Sequence, residues 1–467
     1  MDSQFRTVDG SGIKIGIVSD SFNTLGGAFS DIENGELPGK QNPFNRSLSI
    51  NVLKDLNDEV VFATDEGRAL AQTIHDIAPG SELFFHTVLD NYQEKPFADA
   101  DSFSQAVKAL KEADVDIIVD DVVLLDSLVE GSAATQAINE AVDAGIVYLS
   151  AAGNNGSISY TSDFRRGEQF LLGGSNFETH DFDPGPSIDS FQEVSVPDDG
   201  TLLRPLFSSY PTKVSDTNSA LNSLTIVLLD SPELPSLENI KAISTPFSEE
   251  MLEASLSSLE YLANANDELY YTVIRDLDNG PDTPSQTFRW VSTANGIDRN
   301  VEYEYVDPLL GNPTVYGQAN LSKVITVGSA SDDRQSYDSF ASRGSVPILF
   351  DDKGNRLPAP IISQKPDVIA PDNVETAFPE DSLLNPFVGT SAAVANVAGV
   401  VALMEQAAGG PDVLSPELVK FILGATDKPV EPAPGLPPSA GVVQPDLAVL
   451  GAKVAGQIAS IFPDAFT

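Results

Sequence analysis

Cysteine is absent from the 467-residue sequence, so disulfides do not stabilise the fold, and packing, hydrogen bonds and bound ions must do so instead. No uninterrupted apolar run approaches the roughly 20 residues that a membrane-spanning helix needs. The opening segment MDSQFRTVDG lacks the basic and apolar stretches of a secretory leader. We therefore expect no membrane insertion, and either a cytoplasmic protein or a sequence that begins after a leader and pro-segment.

Basic residues are also scarce. The chain has 26 Lys and Arg residues against 69 Asp and Glu residues, a net charge of −43 that is spread along its length. Such a surface repels nucleic acid and anionic membranes, and it repels itself unless salt or bound cations screen it. We expect no nucleic-acid partner. We also expect a secreted or cell-surface protein or, alternatively, a cytoplasmic protein of a high-salt organism.

The first part of the sequence contains alternating strand and helix patterns. Short apolar runs, which predict buried strands, alternate with amphipathic stretches, which predict helices, from Gly12 to about Gly156. The predicted strands are KIGIVSD, SELFFHTVLD, DIIVDDV and GIVYLSAAG, and the predicted helices are EGRALAQTIHDIA, SFSQAVKALKEA and SAATQAINEAVDAG. This order predicts an α/β fold, a parallel sheet with helices on both faces.

The pattern changes between about 157 and 316. Strand-like pieces (LTIVLLDS, ELYYTVIRDL, QTFRWVS, VEYEYV) lie between Pro, Gly, Asp and Asn clusters, which predicts an antiparallel β-sandwich. The segment SEEMLEASLSSLEYLANA could instead be a helix. VITVGSA and SPELVKFILGATD then restore the α/β pattern. We thus predict a sandwich module, 157–316, inserted between two parts, 1–156 and 317–467, of one α/β domain.

The segment FVGTSAAVANVAGVVALM places Gly-Thr-Ser at the start of a helix of small and apolar residues. Ser391 lies in its first turn, where free backbone N–H groups and the helix dipole stabilise developing negative charge. A serine at this position can also serve only as a cap. Ser391 is the candidate nucleophile.

Two further polar residues follow predicted strands. Asp20 ends IKIGIVSD at the carboxyl edge of the predicted sheet, where parallel sheets place their chemistry, although an Asp there is also a common cap. Asn154 follows the strand in GIVYLSAAGNNG. Its amide could donate to an oxyanion or form a local turn.

The order of these segments resembles that of the subtilisin-like serine peptidases. Strand-Asp, helix, AAGN, VITVGSASDDRQSYDSFASRGS, KPDVIAPD and GTSAA follow one another as in that family, across both α/β portions of the chain. The resemblance implies a subtilisin-like fold and a serine endopeptidase acting on proteins or peptides, with Ser391 as nucleophile and Asn154 at the oxyanion. It implies no required cofactor, and we expect a monomer.

The chain departs from the family where His-Gly-Thr should open the second catalytic helix. It has Glu66-Gly67-Arg68 there, so Glu66 falls in the place of the histidine, as in the related sedolisin-type peptidases. A carboxylate can act as a base if burial or a neighbouring carboxylate raises its proton affinity. Asp20 could orient Glu66 or share a proton with it, and Asp121 in DIIVDDV is a second candidate. An acidic residue is also ordinary in a first helical turn.

None of the three histidines is expected to replace the missing base. His75 lies nine residues beyond Glu66 in the same predicted helix, roughly 13 Å along its axis. His86 lies inside a predicted strand and is expected to be a core residue. His180 lies in the predicted insert.

Several remaining features have ordinary structural explanations. The Asp-rich loops SNFETHDFDPG and RDLDNGPD could bind structural calcium, but solvated turns are the commoner case, so we assign no metal ligands. Trp290 is expected in a core rather than on a binding face. Asp120 should point to the opposite face from Asp121. Ala395-Asn396 replaces a Pro-His pair that is structural in the family.

Two functions remain open from the sequence. The first is an endopeptidase that forms an acyl-enzyme on Ser391 with Glu66 as general base and an optimum at acidic pH. The alternative is a catalytically inactive pseudopeptidase that binds peptides or glycans, or serves in adhesion.

Overall fold

The computed structural model describes residues 8–56, 63–89, 98–122, 124, 132–211, 224–245, 256–278, 286–293, 301–305, 312–331, 333–350, 356–431 and 440–461.

The first segment of the chain folds as alternating strands and helices. Its strands are β1 Lys14–Ser19, β2 Asn51–Lys54, β3 Glu82–Thr87, β4 Ile117–Asp120 and β5 Val147–Ala151. Its helices are α1 Ala28–Asn34, α2 Glu66–Ile77, α3 Ala100–Glu112 and α4 Ala133–Asp143. Local capping explains where two helices begin, because Asp99 accepts from the Ser102 N–H before α3 and Ser132 accepts from the Thr135 N–H before α4. The sequence predicted each of α2, α3 and α4.

The second segment is entirely β-structure in its described part. Its strands are β6 Ser159–Asp163, β7 Arg166–Leu172, β8 Ser175–His180, β9 Gln192–Ser195, β10 Thr201–Pro211, β11 Leu224–Leu229, β12 Ile240–Ile243, β13 Leu256–Ser258, β14 Tyr261–Ala263, β15 Leu269–Asp276, β16 Gln286–Thr293 and β17 Glu302–Tyr303. They pair antiparallel in two sheets, β13-β10-β16-β6 with β14 beside β10, and β12-β11-β15-β8-β7 with β9 and β17 attached. Both sheets contribute to one aromatic core.

Two expectations for this segment can be compared with the strands. The helical alternative for SEEMLEASLSSLEYLANA is wrong where the structure describes it, because β13 and β14 lie there and pair with β10; residues 246–255 lie outside the described residues. Trp290 is fully buried and stacks on Tyr160, so it is a core residue as expected.

The third segment completes the α/β part. Its strands are β18 Ile325–Ala330, β19 Ile348–Phe350, β20 Arg356–Ile361, β21 Val368–Pro371, β22 Lys428–Pro429 and β23 Gly441–Val442, and its helices are α5 Thr390–Ala408, α6 Pro416–Thr426 and α7 Pro445–Ile461. A short 3₁₀ turn spans Gly317–Asn320.

One nine-stranded sheet joins the first and third segments in the order β2-β3-β1-β4-β5-β18-β21-β23-β22. All neighbours are parallel except β22 and β23. One face packs against α2 and α5, and the other against α3 and α4. Because β5 pairs directly with β18, the antiparallel sheets occupy the connection between two adjacent strands. The predicted fold class, a parallel α/β sheet with an inserted antiparallel sandwich, is confirmed.

Helix α5 is buried around nearly its whole circumference, which explains why its sequence is mostly small and apolar. Among the described helices, α5 is long and apolar enough to cross a membrane, although we expected no such segment from the sequence. However, 78% of its most apolar stretch is buried inside the protein. The central position of α5 fixes its first residue, Thr390, and the next, Ser391, against the sheet.

Candidate active site

The carboxyl edge of the parallel sheet gathers three polar residues. Asp20 directly follows β1, Asp121 directly follows β4, and Asn154 lies three residues beyond β5. These strands are neighbours in the order β1-β4-β5, so the residues that follow them meet at one edge. Helix α5 packs against the same strands and brings Ser391 to this edge.

Ser391 is the second residue of α5 and is buried, with 6% exposure. The turn before it depends on Gly389, whose φ of 115° lies in the left-handed region that favours glycine. The Gly389 N–H donates to Oδ2 of Asp372 at 2.7 Å, which fixes this turn to the end of β21. The serine hydroxyl is thus held in one place at the head of a rigid helix.

Asn154 is fixed beside the same turn. Its Oδ1 accepts hydrogen bonds from the N–H and the hydroxyl of Thr390, each at 3.1 Å. With the side-chain oxygen so engaged, the amide nitrogen lies next to Gly389, where an added Cβ would come within 3.0 Å of it. An N–H donor at this position suits an oxyanion formed at Ser391.

Asp20 organises the backbone in front of α2. Its Oδ2 accepts from the N–H and the hydroxyl of Thr64, both at 2.7 Å, and its Oδ1 accepts from the Glu66 N–H at 3.0 Å. Ser21 donates to the same carboxylate through its N–H and hydroxyl. Asp20 therefore places the first turn of α2, and with it the Glu66 side chain.

Glu66 lies half-buried between Ser391 and two other carboxyl groups. Burial and then the charge of Asp20 raise the pKa of Glu66 to about 7, whereas hydrogen bonding with the Ser391 hydroxyl and with Asp121 acts to lower it. A carboxylate with this proton affinity can take a proton from a serine hydroxyl more readily than an exposed one.

Asp121 is the carboxyl group that lies against the Glu66 side chain. Burial, followed by the charges of Glu66 and Asp20, raises the pKa of Asp121 well above its usual value. Two buried carboxyl groups at this range titrate as a pair and retain one proton between them over a wide pH range.

Asp120 points away from this pair, as strand alternation predicts. Its Oδ1 accepts from the Ser150 hydroxyl at 2.8 Å and from Gln318 Nε2 at 3.1 Å. Burial raises the pKa of Asp120 to about 7, while these hydrogen bonds act to lower it.

The three histidines lie elsewhere. His75 is in the last turn of α2, and burial lowers its pKa to about 4. His86 is a buried residue of β3 whose Nδ1 lies 2.6 Å from the Thr87 carbonyl. His180 is fully buried in the sandwich, against Phe182. Within the described residues, no histidine therefore interacts with the Glu66 carboxyl.

Sequence reasoning missed several residues that shape the site. Thr64 and Ser21 hold Asp20, and Asp372 holds Gly389, but the sequence pattern assigned no role to any of these three residues. Asn396, one of the departures from the family pattern, donates to the Pro371 carbonyl at 2.8 Å and so ties α5 to β21.

The described residues hold no group of three or more His, Asp or Glu side chains arranged to bind a metal ion. Part of one calcium candidate, RDLDNGPD, extends beyond Asp278 outside the described residues. Structural calcium therefore stays a prediction.

Comparison with known proteins gives a family match over part of the chain and a shared fold. A model of the subtilase family (peptidase S8) matches residues 292–437, a segment that includes Ser391 but not Asp20, Glu66, Asp121 or Asn154. No curated protein matches the sequence. The structure is similar to the CspB protease of Clostridium perfringens, with 15% identity, coverage of 96% of each chain and a TM-score of 0.53.

A second solved structure, the self-cleaved protease domain of PatA, covers 96% of this chain and 98% of its own, with 11% identity and a TM-score of 0.44. The similarity to the CspB protease shows a shared fold, a mixed α/β architecture.

Proposed function

We propose that this protein is a serine endopeptidase in which Glu66 replaces the histidine as general base. One observation carries the proposal. The Glu66 carboxyl lies against both the Ser391 hydroxyl at the head of a buried helix and the Asp121 carboxyl. The subtilase-family match around Ser391 and the subtilisin-like fold support a serine-type peptidase.

The chemistry follows from these positions. Ser391 Oγ attacks the peptide carbonyl carbon and passes its proton to Glu66, while Asn154 donates to the oxyanion. Glu66 then gives the proton to the leaving amine as the C–N bond breaks, which leaves an ester on Ser391. Water attacks the ester with Glu66 again as base, and the proton returns to Ser391. Asp121, holding the shared proton, stabilises the ionised form of Glu66.

The proton affinity of Glu66 sets the expected pH dependence. Glu66 accepts a proton only when ionised, and burial and Asp20 raise its pKa to about 7. Activity should therefore fall as the pH drops through about 7. The raised pKa favours an optimum at or above neutral pH over the acidic optimum that we expected from the sequence.

A cavity lies near the segment that leads to Ser391. A cavity of about 720 Å³ is lined by Val388, three residues before Ser391, and by Asp372, which holds Gly389. We propose proteins or peptides as substrates, no required cofactor, and a secreted or cell-surface location, the last because of the strongly acidic surface.

The deciding experiment is labelling of Ser391 by a fluorophosphonate from pH 3 to 9, together with cleavage of a denatured protein substrate. Wild type should be labelled and active, whereas Ser391→Ala should lose both and Glu66→Gln should lose most of both. A folded wild type that is never labelled would favour the pseudopeptidase.

A further inference from the structure

Arg68 is a buried arginine two residues beyond Glu66, with 5% exposure. Its guanidinium contacts two carboxylates, two backbone carbonyls and one aromatic ring. The partners are Asp31 Oδ2 at 2.6 Å, Asp65 Oδ2 at 3.3 Å, the Phe22 carbonyl at 3.2 Å, the Gly26 carbonyl at 3.0 Å and the Phe378 ring centroid at 4.0 Å. A guanidinium suits this position because it is planar and presents five donors in a fixed fork.

Three of these partners, Phe22, Gly26 and Asp31, belong to the segment that follows Asp20. This segment, 21–31, consists of a loop and the first turn of α1, and its Thr24 N–H donates to Asp65 at 2.9 Å. Asp65 also caps the start of α2 with a left-handed φ of 58°, and its own N–H donates a hydrogen bond to the Ser21 hydroxyl oxygen. Arg68 thus closes a buried cluster that surrounds the residue just before Glu66.

The remaining partner of Arg68, Phe378, belongs to the segment that leads to Ser391. Gln72, one turn beyond Arg68, donates to Asp31 and accepts from the Ala377 N–H, both at 2.8 Å. Phe378, which stacks on Arg68, accepts through its carbonyl from Asn385 Nδ2 at 2.7 Å. Asn385 lies four residues before Gly389. The contacts therefore run from the base-bearing helix to the turn that presents Ser391.

We propose that Arg68 is a positioning residue that fixes Glu66 relative to Ser391 by joining α2, segment 21–31 and segment 376–378. The inference rests on the proposed function. Proton transfer requires the two groups to lie within hydrogen-bonding reach, and a misplacement of about 1 Å can cost about a hundredfold in rate. Lysine would keep the charge but could not satisfy the same set of acceptors or stack on Phe378.

The test compares Arg68→Lys with wild type and with Arg46→Lys. Arg46 is the control because it also pairs with an aspartate, Asp9, at 2.7 Å, but is partly exposed and acts on His75 in the last turn of α2, the opposite end from Glu66. We expect Arg68→Lys to lower kcat and the rate of fluorophosphonate labelling by between 10- and 100-fold, with KM nearly unchanged. The pH at which kcat/KM is half-maximal should also shift, because the surroundings of Glu66 change. Arg46→Lys should alter neither quantity.

Phe378→Leu gives a second variant that keeps both ion pairs of Arg68 and removes only the stacked ring. It carries the test if Arg68→Lys does not fold, and it should show a smaller loss in the same direction. Folded variants with wild-type kcat and pH profile overturn the positioning role alone. A wild type that is neither labelled nor active overturns the proposed function and the role of Arg68 with it.

Discussion

The Oδ1 atom of Asp20 accepts a hydrogen bond from the backbone N–H of Glu66 at 3.0 Å. The same carboxylate raises the pKa of the Glu66 side chain through its charge. Asp20 thus acts on Glu66 in two ways, by placing its backbone and by increasing its proton affinity. Of the two carboxyl groups that the sequence offered as partners, Asp121 is the one whose side chain hydrogen-bonds with the Glu66 carboxyl.

Activity should rise with pH through about 7. Burial and Asp20 raise the pKa of Glu66 to that value, and only ionised Glu66 can accept the Ser391 proton. The measurement is kcat/KM against pH for a peptide substrate. An acidic limb near pH 4, where an ordinary glutamate titrates, would show that Glu66 is not tuned as described.

Replacing Asp20 with asparagine should move the acidic limb of the kcat/KM profile to lower pH and reduce the maximal kcat/KM. The substitution removes the charge that raises the pKa of Glu66 and weakens the hold on its backbone. Asp55→Asn is the matched control, because Asp55 accepts from the N–H groups of Phe22 and Asn23 in the loop that directly follows Asp20. If both variants shift the limb equally, the effect belongs to the loop and not to Asp20.

Glu66→Gln should stabilise the protein at alkaline pH while removing activity. The pKa of Glu66 is raised from 4.5 to about 7 on folding. The folded state therefore binds a proton more tightly, and the stability this provides is full below pH 4.5 and lost as the pH rises through 7. At 1.36 kcal/mol per unit, the ionised carboxylate costs roughly 3 kcal/mol above pH 7.

Urea unfolding of Glu66→Gln and wild type, both carrying Ser391→Ala to prevent self-cleavage, tests this cost at pH 4 and pH 8. The variant should be more stable at pH 8 and equal at pH 4. Glu417→Gln, at an exposed glutamate in the first turn of α6, should show no such gain. Equal stability at pH 8 would contradict the burial cost.

Removing the Asn154 amide should lower kcat by about 10²- to 10³-fold with little change in KM, the usual cost of losing one oxyanion donor. The variant is Asn154→Ala, measured by steady-state kinetics. Asn155→Ala serves as control because Asn155 occupies the same turn and its Nδ2 has no hydrogen-bond partner within the described residues. Similar losses in both variants would point to the turn, not to an oxyanion contact.

The cavity beside Val388 should favour substrates with Lys or Arg near the scissile bond. The described residues that line it include Asp333, Asp338 and Asp372 but no Lys, Arg or His. Carboxylates around a cleft attract cationic groups, and salt screens this attraction. A peptide library should show the preference at low salt and lose part of it at high salt. Asp333→Asn should weaken it, and a preference for acidic side chains would contradict it.

The sequence predicted the α/β part of the fold because hydrophobic periodicity is a local property. Each strand of the first segment from β3 to β5 and each helix from α2 to α4 occupies a run whose apolar spacing can be read directly. The segment around β13 and β14 was ambiguous, since its apolar spacing suited a helix as well. Pairing with β10, a partner distant along the chain, decided it.

The sequence by itself determined the nucleophile candidate and the elements around it, because Gly-Thr-Ser at the head of an apolar helix is visible without knowing what that helix contacts. Only the tertiary structure decided the partners of Glu66. Asp121 meets its side chain and Asp20 its backbone because β1 and β4 lie side by side and α2 packs beside them. The pKa of Glu66 likewise depends on burial and neighbouring charge, which exist only once distant segments have come together.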